Sequence, residues 1–194
     1  MLNIIKRNAP EELNKFIKYY NPKDWDDYTP EIKQILKKYM LDEEQFYSCA
    51  YCEVKITDPH EAHIEHIKPK SVYMTKFQKY DNLIVSCNTP KHCGNAKGNT
   101  FSDLFINPVV DNPEDFLTYD LADGRIIPKT SDPNIVARAN ETIDMLNLNS
   151  VKLKKARKNY ILSMQYYEED YLEEMINNHD RFYTLIKCFK LHSF

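Results

Sequence analysis

Residues 63–97 read HIEHIKPKSVYMTKFQKYDNLIVSCNTPKHCGNAK, from His63 to Lys97. One cysteine pair, Cys49 and Cys52, precedes this stretch, and a second, Cys87 and Cys93, lies near its end. A metal held by four sulfurs would draw the two pairs together, because four thiolates close one tetrahedron. That closure gathers Glu65, His66, Asn82, Asn95 and Lys97 into one neighbourhood. A carboxylate, an imidazole, two amides and a lysine beside a structural metal point to phosphodiester cleavage.

The spacing Cys49-x-x-Cys52 with a second pair downstream suits a four-thiolate zinc site. Five residues separate Cys87 from Cys93, so that loop must bulge, and Asn88-Thr89-Pro90 supplies turn residues for it. His92, adjacent to Cys93, is an alternative fourth ligand. A redox pair at Cys49/Cys52 and unpaired structural thiols are the competing readings. Cys188 lies in an apolar C-terminal segment and reads as a small buried hydrophobe.

Hydrolysis of a phosphodiester needs a base for water, a cation for the developing charge and contacts that hold the phosphate in line. His66 fits the base, since an ordinary imidazole is largely neutral at pH 7. Glu65 and Asn95 offer hard oxygen ligands that suit Mg²⁺ or Mn²⁺. Lys97, with Lys68 and Lys70, can contact phosphate. Asn82 can bond the backbone of the loop carrying His66 and so orient the ring. His63, two residues before Glu65, shares its strand face and could join the metal, touch nucleic acid or only support the site. Adjacent side chains on a strand point to opposite faces. For Glu65 and His66 to serve one phosphate, the strand is therefore expected to end near Glu65, with His66 opening an irregular loop before Pro69.

The 194 residues carry a formal net charge of −3, with 42% hydrophobic and 28% charged residues, an ordinary globular composition. Bulk electrostatics therefore does not drive nucleic-acid binding. Locally the sign reverses: between His63 and Thr100 the acids are Glu65 and Asp81 alone, against six lysines. Lys152, Lys154, Lys155, Arg157 and Lys158 form a second basic cluster. No apolar run is long enough to cross a bilayer and the first residues lack a signal-peptide pattern, so a cytoplasmic location is expected.

Helical spacing of apolar residues predicts helices over 11–20 and 31–40, with Pro10 and Pro30 at positions tolerated in a first turn. Residues 46–67 read as a zinc knuckle with short strands, and 83–86 as a strand; a helix opens after Cys93. Ala122-Asp123-Gly124 between two short runs predicts a hairpin. Residues 134–146 are helical, and Asn149 or Ser150 caps a further helix running past Glu174, striped by Tyr160, Met164, Tyr167, Tyr171 and Met175. That stripe is core in the simpler reading and a docking face in the sharper one. The divisions expected are a helical segment at 1–45, a zinc-bound core with its hairpin at 46–130, and a helical region at 131–194 that docks a partner.

Glu65-His66-Ile67 with Pro69, Asp81-Asn82-Leu83, and Asn95 with Lys97 resemble the HNH endonuclease family. The resemblance implies an α+β, mainly α fold, with a ββα-metal motif in a zinc-bound, treble-clef-like core. It implies Glu65 and Asn95 as ligands of the catalytic ion, His66 as base and Asn82 as the orienting residue. The family commonly closes Asn-x-x-Lys, whereas this sequence has Asn95-Ala96-Lys97; His92 is then a substitute ligand. Phe105-Ile-Asn-Pro, Asp123-Gly124-Arg125-Ile-Ile-Pro and Thr142-Ile-Asp-Met-Leu-Asn-Leu-Asn are similar to the nuclease subunits of Septu-type (PtuB-like) antiphage systems, some of them encoded with retrons. This implies an ABC- or SMC-like ATPase partner and a DNA or RNA substrate. The rival expectation is a non-catalytic zinc module that docks a protein or nucleic acid; a zinc-dependent toxin acting on RNA differs only in substrate.

Overall fold

The structure, a computed structural model, describes residues 1–193. α1 (Glu11–Tyr20) ends on Asn21, whose left-handed backbone returns its N–H to Ile17 O. α2 (Pro30–Glu43) starts from Thr29, whose hydroxyl accepts from Ile32 N, and Pro30 fills a first-turn place that needs no N–H. Ile32, Leu36, Met40 and Leu41 make its buried face. At about 2 kcal/mol for each such side chain, this face rather than helix propensity holds α2 in place.

α2 lies across an antiparallel pair, β1 (Ala62–His66) and β2 (Leu83–Cys87), in which His63 faces Ser86, Glu65 faces Ile84 and His66 faces Leu83. The expectation that the strand ends near Glu65 is corrected here. The ladder includes His66 and gains one further bond, from Ile67 N to Asn82 O at 3.0 Å. Irregular chain begins only at Lys68 and Pro69, because Asn82 supplies the acceptor that keeps Ile67 paired. All five residues of β2 are buried. Its outer edge is covered by Gln45, whose amide accepts from Val85 N at 2.7 Å and donates to Val85 O at 2.9 Å. A buried glutamine thus satisfies backbone that a third strand would otherwise pair.

After β2 the chain turns into the short α3 (Gly94–Lys97). β3 (Leu117–Asp120) and β4 (Arg125–Pro128) form the expected hairpin. Its Gly124 has φ 76°, and a Cβ there would stand 2.8 Å from Lys158 N, so the turn rests directly on a later helix. That helix, α5 (Val151–Met164), is capped by Ser150 and preceded by α4 (Pro133–Met145).

The long helix expected to pass Glu174 is two helices. α5 stops at Met164 and α6 (Glu169–Asn177) starts after a turn. A straight helix would carry Met175 about 16 Å beyond Met164. The turn instead folds Leu172 and Met175 back against α7 (Tyr183–Ser193), where they join Ile161, Met164, Phe182, Leu185, Ile186 and Phe189 in a second apolar cluster. The aromatic stripe divides accordingly: Met164 and Met175 are buried, Tyr160 and Tyr167 half-buried, and Tyr171 exposed. Glu53 ties this cluster to the cysteine knuckle by accepting from Thr184 N at 2.8 Å and Thr184 Oγ1 at 2.5 Å, and by pairing with the Met1 amine. The architecture is α+β and mainly helical.

Candidate active site

Cys49, Cys52, Cys87 and Cys93 place their sulfurs within 4.8 Å of one another, all four residues buried. Cys49 and Cys52 sit on a knuckle in which Glu53 N bonds Cys49 O, and Cys87 N donates to Cys49 Sγ at 3.3 Å. Cys52 Sγ and Cys87 Sγ are 3.9 Å apart, close to the roughly 3.8 Å edge of a tetrahedron with 2.3 Å metal–sulfur bonds. The thiols polarise one another: Cys87 is held far below the usual thiol range by donation from Cys49, Cys52 and Cys93. Cys52 is pushed far above it by Cys49 and Cys87, and Cys93 by burial. Four buried sulfurs this close cannot all ionise without a cation among them, and this donor set could hold a metal ion. His92 is buried with Nδ1 3.2 Å from Cys93 Sγ and 3.9 Å from Cys87 Sγ, a neighbour of the group. Cys188 lies apart, beside Thr118.

Along β1, the carboxylate of Glu65 is steered by Lys97, whose Nζ lies 2.7 Å from Oε1 and donates to His66 O at 3.0 Å. Lys97 is 1% exposed. It was expected to meet phosphate; the structure encloses it, because α3 packs its face onto β1. Gly94, one turn earlier on the same face, abuts the other carboxylate oxygen. Asn95 is exposed and donates from Nδ2 to Thr89 O at 3.2 Å. α3 therefore turns Gly94 and Lys97, not Asn95, toward Glu65, since neighbouring helical residues diverge by about 100°.

His66 is buried, with the Trp25 ring edge-on at 4.7 Å. Its Nε2 stands 3.1 Å from Phe77 O. A carbonyl can only accept, so Nε2 carries the hydrogen and Nδ1 keeps the lone pair. Burial holds the ring's pKa down to about 4, leaving it neutral at pH 7. The loop carrying Phe77 is stapled by Asn82: its Oδ1 accepts from Lys68 N at 2.8 Å, and its Nδ2 donates to Lys68 O and Lys76 O at 3.0 and 3.2 Å.

Glu65 and His66 both border one open pocket with Trp25, Pro69, Lys70 and Asn99. Its border thus includes an imidazole and a carboxylate from adjacent positions of β1. Lys70 also reaches Asp26 at 3.4 Å, while Lys68 lies over the rings of Tyr73 and Phe101. Of the second basic cluster, Arg157 is buried and donates to Leu148 O. Trp25, Phe77 and Gly94 were not singled out from the sequence. Trp25 and Phe77 reach His66 only through folding. Gly94 carried a signal, as a glycine that follows a clustered cysteine and opens a helix.

No protein-family model matches the sequence. A protein of Vibrio cholerae serotype O1 biovar El Tor described as "Retron Vc95 putative HNH endonuclease" is 30% identical over 178 residues, covering 86% of this chain and 85% of that protein. A second, from Escherichia coli, described as "Retron Ec83 putative HNH endonuclease", is 25% identical over 198 residues, covering 79% and 77%.

Proposed function

The chain belongs to the HNH endonuclease family, and from that premise we propose that it is a metal-dependent nuclease hydrolysing phosphodiester bonds of nucleic acid. In this reading β1, β2 and α3 serve as a ββα-metal motif. The observation that carries it is one pocket bordered by a neutral imidazole with Nδ1 unpartnered among the described residues, and by a carboxylate oriented by Lys97.

His66 takes a proton from water at Nδ1 as the water oxygen bonds to phosphorus and the bond to the departing sugar oxygen breaks. Donation to Phe77 O keeps the ring in this tautomer and steadies it as it becomes charged. Asn82 holds the loop that provides Phe77. Glu65 anchors the catalytic cation. Mg²⁺ or Mn²⁺ held there would supply positive charge to the phosphate. The four cysteines would hold zinc as a structural ion with no part in the reaction. Lys70, half-buried at the pocket rim, meets the nucleic-acid backbone.

The relatives' descriptions support a retron-associated nuclease; a Septu-type defence complex with an ABC- or SMC-like ATPase is our extension from the sequence resemblance. The helical region at 131–194 offers such a partner Tyr166 and Tyr171, both exposed. A second reading, a non-catalytic metal-stabilised module, draws on Lys97 already neutralising Glu65. Incubation with plasmid DNA and total tRNA in Mg²⁺ or Mn²⁺, repeated with any ATPase that is encoded beside it, separates the two. Cleavage by wild type and none by His66→Ala, at equal zinc content, supports the nuclease; equal cleavage by both overturns the mechanism.

A further inference from the structure

We propose that the catalytic divalent ion is seated between His63 Nε2 and Glu65 Oε2, in space left open by Gly94 on the Glu65 side of the pocket, and not on Asn95. The inference rests on the nuclease reading and specifies its ion site.

His63 and Glu65 lie two apart on β1 and so share a face. Their nearest atoms, Nε2 and Oε2, are 3.3 Å apart. Adjacent ligands of an octahedral ion at about 2.1 Å stand about 3.0 Å from each other, so the spacing suits two arms of one ion. The tautomer is set from the far side of the ring. Asn88 Nδ2 donates to His60 O at 3.0 Å, which turns Oδ1 toward His63 Nδ1 at 2.8 Å. An amide oxygen only accepts, so Nδ1 carries the hydrogen, and in the neutral ring the Nε2 lone pair faces Glu65. A histidine held by its second nitrogen in this way is the usual support of a metal-ligating imidazole. Nε2 and Oε2 are bridged by a proton or, displacing it, by a divalent ion.

Gly94 explains the room for it. Its φ is not in the left-handed region, so its backbone would accept any residue. A Cβ there would lie 2.6 Å from His63 Nε2 and 2.8 Å from Glu65 Oε2, in the space between them that an ion with bonds of about 2.1 Å would take. Gly94 N donates to Ser86 Oγ at 3.0 Å, and Ser86 is the cross-strand partner of His63, so the gap has fixed walls. Lys97 occupies Oε1 and leaves Oε2 to face His63. The His63 side chain is 30% exposed, which leaves a side open for water or phosphate.

The test is Mn²⁺ binding to the zinc-loaded chain, followed by loss of the free-ion electron paramagnetic resonance signal. Zinc content and thermal melting verify each variant's fold. Wild type should bind one Mn²⁺. His63→Ala and Gly94→Ala should each weaken binding at least tenfold, while Asn95→Ala and His66→Ala stay within twofold of wild type. Gly94→Ala guards against a misfolded His63→Ala, because alanine suits both the backbone and the helix at that position. Unchanged binding in folded His63→Ala, or equal losses in Asn95→Ala and Gly94→Ala, overturns the seat. If His66→Ala still abolishes cleavage in that case, the nuclease reading survives. Wild type that neither binds Mn²⁺ nor cleaves ends both.

Discussion

Lys97 Nζ lies 2.7 Å from Glu65 Oε1, with the lysine side chain wholly enclosed. A lysine in a stretch rich in lysines thus works inward, neutralising a buried carboxylate that would otherwise be costly to keep ionised.

Removing that lysine should therefore act on the fold first. Lys97→Met should lower stability by about 3 kcal/mol in urea unfolding, because it leaves an uncompensated buried charge. A variant that keeps its melting curve and loses only nucleic-acid affinity would return Lys97 to a phosphate contact.

The cysteine cluster predicts a metal requirement for folding. Cys52→Ser should lose bound zinc and cooperative unfolding together, since metal binding in such sites is itself folding free energy. Cys188→Ser, beside Thr118 and away from the cluster, should keep full zinc content by elemental analysis. Zinc loss in the second variant would mean that the ligand set is wrong.

Asn82 makes three bonds to the loop that presents Phe77 to His66. Asn82→Ala should cost about 2 kcal/mol in stability. Through a misplaced imidazole it should also slow cleavage about 100-fold with little change in KM. A variant that weakens substrate binding at unchanged turnover would place Asn82 on the substrate instead.

Glu53 joins the knuckle to α7 through Thr184. Glu53→Ala leaves Thr184 N and the Met1 amine without their carboxylate, and should cost about 3 kcal/mol. Hydrogen exchange should rise over residues 183–193 more than over β1 and β2. Uniform exchange across both regions would show that the second apolar cluster needs no such tie.

Local chemistry made much of this architecture readable. Prolines with helical spacing located α1 and α2, Ala122-Asp123-Gly124 located the hairpin, and the spacing of four cysteines located a sulfur cluster that could hold a metal. The break between α5 and α6 left no trace, because no glycine or proline marks residues 165–168. It follows from the contacts that Leu172 and Met175 make with α7.

Periodicity and residue type belong to the chain itself and act over a few residues, so helices, turns and ligand kinds could be read from sequence alone. Which lysine is enclosed, which residue of α3 meets Glu65 and which carbonyl sets the tautomer of His66 depend on packing between distant segments. Glu65 and Lys97 are 32 positions apart, and only the folded sheet and the helix lying on it decide that they touch.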